Sequence, residues 1–146
     1  MATIKNFEEL DVWQMSMNFC DEVFKLMNET DLSKDFALKD QMNRSSISIP
    51  SNIAEGFDRE SNNQFSYFLK VSKGSAGELR TQLHLCKRRG YIDEIKFQKL
   101  NNDVIKISKK CSSLLSYLRE HKKKNNIVSE PEVKYESCFS MELPTN

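Results

Sequence analysis

The stretch Glu94–Lys122, EIKFQKLNNDVIKISKKCSSLLSYLREHK, carries the cleanest periodicity in the chain. Phe97, Leu100, Val104, Ile107, Cys111, Leu114 and Leu118 recur at alternating spacings of three and four, which places them on one stripe of an α-helix. The opposite face carries Lys96, Lys99, Lys106, Lys109 and Lys110. Asp93 is placed to cap the helix. A long helix with one apolar stripe has to bury that stripe against other elements, so the rest of the chain must supply partners.

It supplies three more helices. Upstream, Ser61 and Gln64 form a capping-box pattern for a helix over about Asn62–Arg89. Phe65, Phe68, Ser72, Ala76, Leu79, Leu83 and Cys86 follow the same spacing, and Gly90 supplies a left-handed stop after the basic run Lys87-Arg88-Arg89. Before it, about Asp35–Arg59 reads as one helix with an inward face of Met42, Ile49, Ile53 and Phe57. Pro50 kinks that helix by removing one N–H and crowding the carbonyl of Ser46, and Ser45, Ser46, Ser48 and Ser51 can bond to the freed backbone. The first helix, about Phe7–Asn28, opens on Asn6 with Glu9 three residues on. It shows two apolar stripes, Leu10, Trp13, Met17, Cys20, Phe24, Met27 and Val12, Phe19, Val23, Leu26, more than one bundle interior needs.

Four amphipathic helices with short connections predict an all-α, up-down-up-down four-helix bundle over residues 1–124. After Lys123 the apolar period stops, so 125–146 reads as a flexible acidic tail. Composition agrees. With 38% apolar residues in 146, one modest core is expected, and four Gly with three Pro are too few for a many-turned β-fold. No run of about 18 apolar residues exists to span a membrane, and the N-terminus has no signal-like stretch, so a cytoplasmic location is expected.

Net charge is +1, but it is unevenly spread. Residues 1–69 hold 6 basic and 12 acidic side chains, and residues 70–124 hold 15 basic and 5 acidic. A basic second half suits either a polyanion or an acidic surface, including the first half of another copy; the plain alternative is a solvated lysine face. The candidate nucleic-acid contacts are Lys87, Arg88, Arg89, Lys96, Lys99, Lys106, Lys109 and Lys110. Tyr91 and Tyr117 are the aromatics near that charge, too few for base reading, so low sequence specificity is expected.

Chemistry-bearing patterns are missing. Cys20, Cys86, Cys111 and Cys138 form no C-x-x-C pair, and His84 and His121 are isolated, so no metal site is expected. Neither histidine has a Glu three residues before it, as di-metal bundles require. No nucleophile elbow, phosphate loop or dinucleotide glycine pattern occurs, so neither an enzyme nor a cofactor is expected.

A tight turn at Glu60–Ser61 pairs helices two and three so that opposed residue numbers sum to about 121 or 122. That register predicts Ser46 beside Ser75 and a partly buried Arg44–Glu78 ion pair. It also makes Gly74 and Gly77 a small-residue patch where helix two approaches closely.

With those segments in hand, a family resemblance is evident. Ser48-Ile49-Pro50-Ser51-Asn52-Ile53-Ala54-Glu55-Gly56, preceded by Arg44, resembles the signature of the four-helix-bundle 23S ribosomal RNA intervening-sequence proteins. Asp11-Val12-Trp13-Gln14, Gly74-Ser75, Glu78-Leu79, Gln82-Leu83 and Gly90-Tyr91-Ile92 match as well, and the resemblance covers about residues 7–120. The chain departs at Ser45-Ser46, where small apolar residues are usual, and at Ser72-Lys73. The resemblance implies a left-handed bundle that assembles into a ring-like homopentamer, with Arg44, Pro50, Asn52, Glu55, Gly56, Gly74, Ser75 and Glu78 as the structural signature. A related group, the accessory proteins of diversity-generating retroelements, implies nucleic acid and a reverse transcriptase as possible partners.

Overall fold

The last three helices begin at side-chain caps. In the computed structural model, which describes residues 3–124 with side chains through His121, the N–H of Gln64 donates to Ser61 Oγ and that of Lys96 donates to Asp93 Oδ1. Asp35 Oδ1 likewise accepts from the N–H of Leu38. These caps open helices α2 (Phe36–Asp58), α3 (Asn62–Arg88) and α4 (Glu94–Lys124). Gly90, at φ +78°, ends α3: its N–H donates to Lys87 O while that of Tyr91 reaches Cys86 O, a Schellman closure.

The first helix differs from expectation at its start. Asn6 opens a 3₁₀ turn over Phe7–Glu9, and α1 runs Asp11–Glu29. A second 3₁₀ turn, Asp31–Lys34, leads into α2. The expected acidic tail, 125–146, lies outside the described residues.

Successive helices pack antiparallel, and α4 closes the bundle onto α1. Ile49 meets Ser72 and Met42 meets Cys86 across α2 and α3. The tilted His84 ring packs against Phe97, and Lys87 reaches Glu94, across α3 and α4. Asp11 pairs with Lys110 and Glu22 with Lys99 across α1 and α4. Along the axis, Leu10, Val23, Met42, Ile53, Leu69, Leu83, Leu100 and Val104 have no accessible surface. Fully burying one such side chain contributes about 1.5–3 kcal/mol, so the stripe positions carry the stability.

Of the two stripes on α1, Val12, Phe19, Val23 and Leu26 face the core. The other remains partly outside, with Met17 at 40% and Phe24 at 63% exposure. Phe36 at 78% and Ile47 at 49% extend this apolar surface onto α2. Phe24, Met27, Phe36 and Asn43 line a shallow groove between the two helices.

Candidate nucleic-acid interface

The signature residues build the seam between α2 and α3. Pro50 sits buried inside an unbroken α2, so the expected single helix is what forms. Ser48 Oγ hydrogen-bonds Ser75 Oγ at 2.8 Å, and Asn52 Nδ2 donates to both the carbonyl and the hydroxyl of Ser48. Ser72 Oγ donates to Ile49 O at 3.0 Å, and Ser45 Oγ hydrogen-bonds the Gln82 side chain at 2.5 Å. The family departures Ser45 and Ser72 are thus both partnered in the core. Gly56 lies against the start of α3, where a Cβ would fall 2.7 Å from Phe68 Cβ.

Three register expectations are corrected by this seam. Ser75 meets Ser48, not Ser46. Arg44 is exposed and pairs with Asp40 one turn back at 3.0 Å, while Glu78 is exposed on α3; the predicted Arg44–Glu78 pair does not form. The reason is that Ser45 reaches Gln82 and Met42 reaches Cys86, more than a turn further along α3 than a constant register allows. Hydroxyls at the seam also cost less to desolvate than an ion pair. Gly74 and Gly77 are exposed, with nothing within 4 Å of where a Cβ would stand, so the close approach belongs to Gly56 alone among the described glycines. Glu55 is likewise at the surface, paired with Arg59 at 2.7 Å.

The basic positions divide into two groups. Lys99 Nζ lies 2.6 Å from Glu22 and 3.1 Å from Asp103, and Lys110 pairs with Asp11. These lysines meet the acidic first helix of their own chain. Lys87 pairs with Glu94 at 3.0 Å and lies 4.3 Å over the Phe97 ring. Arg89 pairs with Asp35 at 2.7 Å, and Tyr91 Oη donates to the same carboxylate at 2.8 Å. Arg88, Lys96, Lys106 and Lys109 are exposed and touch no carboxylate among the described residues.

Residues 8–113 match the family model of the 23S rRNA-intervening sequence proteins. The chain belongs to that family. A crystal structure of a protein of unknown function from the S23 ribosomal protein family of Bacteroides thetaiotaomicron is similar, at 30% identity and a TM-score of 0.65. The similarity covers 71% of this chain and 97% of that one. No curated protein matches the chain.

Within this family fold, α3 adds Lys70, Lys73 and Arg80 to the candidate cations. With Lys87 and Arg88, Asn62–Arg88 carries five basic residues against a single acid, Glu78. Lys70 and Lys73 touch no carboxylate among the described residues, and Arg80 Nε donates to the neutral Asn101. The signal was the charge balance of that one helix, masked by the longer lysine run on α4.

The three described cysteines belong to the packing of the bundle. Burial raises the thiols of Cys20 and Cys86 to about 11 and that of Cys111 to about 12, so all three stay protonated near neutral pH. Glu22 and Asp103 raise the Lys99 ammonium, which keeps it charged. No group of three potential metal ligands occurs among the described residues, and no described helix is long and apolar enough to cross a membrane.

Proposed function

We propose that the chain is a non-enzymatic, oligomeric helical-bundle protein that binds RNA or DNA through phosphates, with low sequence specificity, on the outer face of α3 and α4. One observation carries this reading. Lys70, Lys73, Arg80 and Arg88 on α3, with Lys109 on α4, keep their charge free of carboxylates, whereas Lys99 and Lys110 are neutralised by α1. Unpaired cations along one face are the electrostatic footprint of a polyanion partner.

Oligomerisation is supported by the apolar strip of Met17, Phe24, Phe36 and Ile47, and five copies by the family resemblance alone. The same strip supports a second reading, a protein-interaction scaffold with no nucleic-acid role.

A mobility-shift titration at several salt concentrations separates the two. Changing Lys70, Lys73 and Arg80 together to Gln should weaken duplex binding and flatten the log–log salt slope by about 2.7, at about 0.9 per phosphate contact. Lys99→Gln with Lys110→Gln should leave that slope unchanged. No shift of the unmodified protein at low salt would leave the scaffold reading standing.

A further inference from the structure

Beside the cation row on α3 stands an aromatic ring with no role in the core. Tyr67 is 62% exposed, one turn before Lys70 on the same helix. Its edge is fixed against Phe68, with ring centroids 5.2 Å apart and planes at 79°. Phe68 is itself held by the Arg59 guanidinium at 5.4 Å. The ring is therefore braced from one side and open to solvent on the other.

Beyond Tyr67, α3 carries a track of cations. Lys70 and Lys73 come first, Gly74 and Gly77 leave it bare, and Arg80 and Arg88 continue it past the one acid of α3, the exposed Glu78. From Lys70 to Arg88 it runs about 27 Å at 1.5 Å per residue. Asp58 at the end of α2 and Glu60 in the turn before α3 put carboxylates at that end, where Arg59 is already engaged by Glu55 and the Phe68 ring. A strand starting at Tyr67 is thus directed towards Arg88.

The geometry points to single-stranded nucleic acid as the ligand of this face, with Tyr67 as the platform on which an unpaired base stacks. This rests on the phosphate-binding reading above and adds the strand class. A duplex keeps its bases stacked on each other and offers the ring nothing; an unpaired base has a free face that any aromatic accepts, without sequence preference. The glycine gap lets a backbone lie close to α3 between the flanking cations.

The test uses the full chain and fluorescence anisotropy. The probes are labelled oligouridylate and oligothymidylate of about twelve nucleotides, with a duplex of equal length. Tyr67→Ala is expected to weaken single-strand binding about 5- to 150-fold, leave the duplex unaffected and preserve the salt slope. Tyr67→Phe should restore the affinity, because the ring face and not the hydroxyl does the stacking. Thermal melting of Tyr67→Ala should match the parent protein, since the ring is exposed. Equal single-strand affinity in Tyr67→Ala, with the Lys70, Lys73 and Arg80 triple variant weakened, would overturn the platform and leave phosphate binding intact. If the parent protein binds none of the three probes at low salt, the underlying reading fails and this one falls with it.

Discussion

The thiol of Cys20 donates to the carbonyl of Ser46 at 3.1 Å, and Ser46 is the residue whose helical donor would have been the N–H that Pro50 lacks. A proline inside a helix leaves one acceptor open, and here a side chain from α1 fills it. The same contact ties α1 to α2 at the level of the signature. It also fixes the role of this cysteine, since a thiolate could not donate and burial raises the thiol to about 11.

Cys20→Ala should therefore destabilise the protein by about 1–2 kcal/mol, the usual cost of leaving a part-buried acceptor unmet plus a small cavity. Cys20→Ser keeps a donor and should lose less. Pro50→Ala gives Ser46 its helical partner back, so in that background Cys20→Ala should cost less than in the parent chain. Urea denaturation of the parent, Cys20→Ala, Pro50→Ala and the double variant measures the coupling; strict additivity would show that the thiol does not serve the carbonyl.

The glycines make opposite predictions from one another. Replacing an interior helical glycine by alanine ordinarily stabilises by about 0.5–1 kcal/mol. Gly74→Ala and Gly77→Ala should show that gain, because nothing lies within 4 Å of the new methyl. Gly56→Ala should reverse the sign and cost about 1–3 kcal/mol, because its Cβ would stand 2.7 Å from Phe68 Cβ and 3.0 Å from Phe65 Cδ2. Melting temperatures of the three variants decide it, and a gain at Gly56 would mean that α3 can shift away at no cost.

That contrast also shows what the sequence could carry. Apolar periodicity, the caps at Ser61 and Asp93 and the stop at Gly90 are local chemistry, so the four helices and the turns that flank α3 were legible, while the two 3₁₀ turns around α1 were not. Register was not. A turn at Glu60–Ser61 sets only the first pairs, and it places Ile49 by Ser72 correctly. Beyond that, side-chain reach and the proline decide, which is why Ser45 finds Gln82 and Arg44 turns to Asp40. The basic surface shows the same limit. A lysine run names a face but not what the face meets, and α1 presents Glu22 and Asp11 to the lysines that looked most available.

Acid should loosen the end of the bundle where α3 meets α2. Asp35 caps α2, accepts from Tyr91 Oη and pairs with Arg89, and Tyr91 followed by Arg89 holds its carboxyl below the usual range. A depressed carboxylate contributes stability that is fully present above the unfolded-state value, about pH 4. It is lost as pH falls through the lower folded-state value. Asp35→Asn should therefore melt earlier than the parent at pH 7, and the difference should shrink below about pH 4. A gap that persists unchanged at low pH would mean that the negative charge is not what the cluster uses.

The exposed strip on α1 and α2 makes the last prediction. Phe24 at 63% and Phe36 at 78% exposure stand beside Met17 and Ile47, a row of large apolar side chains that a lone bundle leaves in water. Covering such a row stabilises by roughly 25 cal/mol for each Å² of apolar surface removed from water. A second copy is the partner available at high concentration in a purified sample. Light scattering after gel filtration should then report a mass well above 17.0 kDa. Phe24→Ser with Phe36→Ser should bring it down to that value while keeping the helical circular dichroism, because neither ring contributes to the buried core. Retention of the large mass in the double variant would move the contact to another face. A 17.0 kDa parent protein would leave the strip to a different partner.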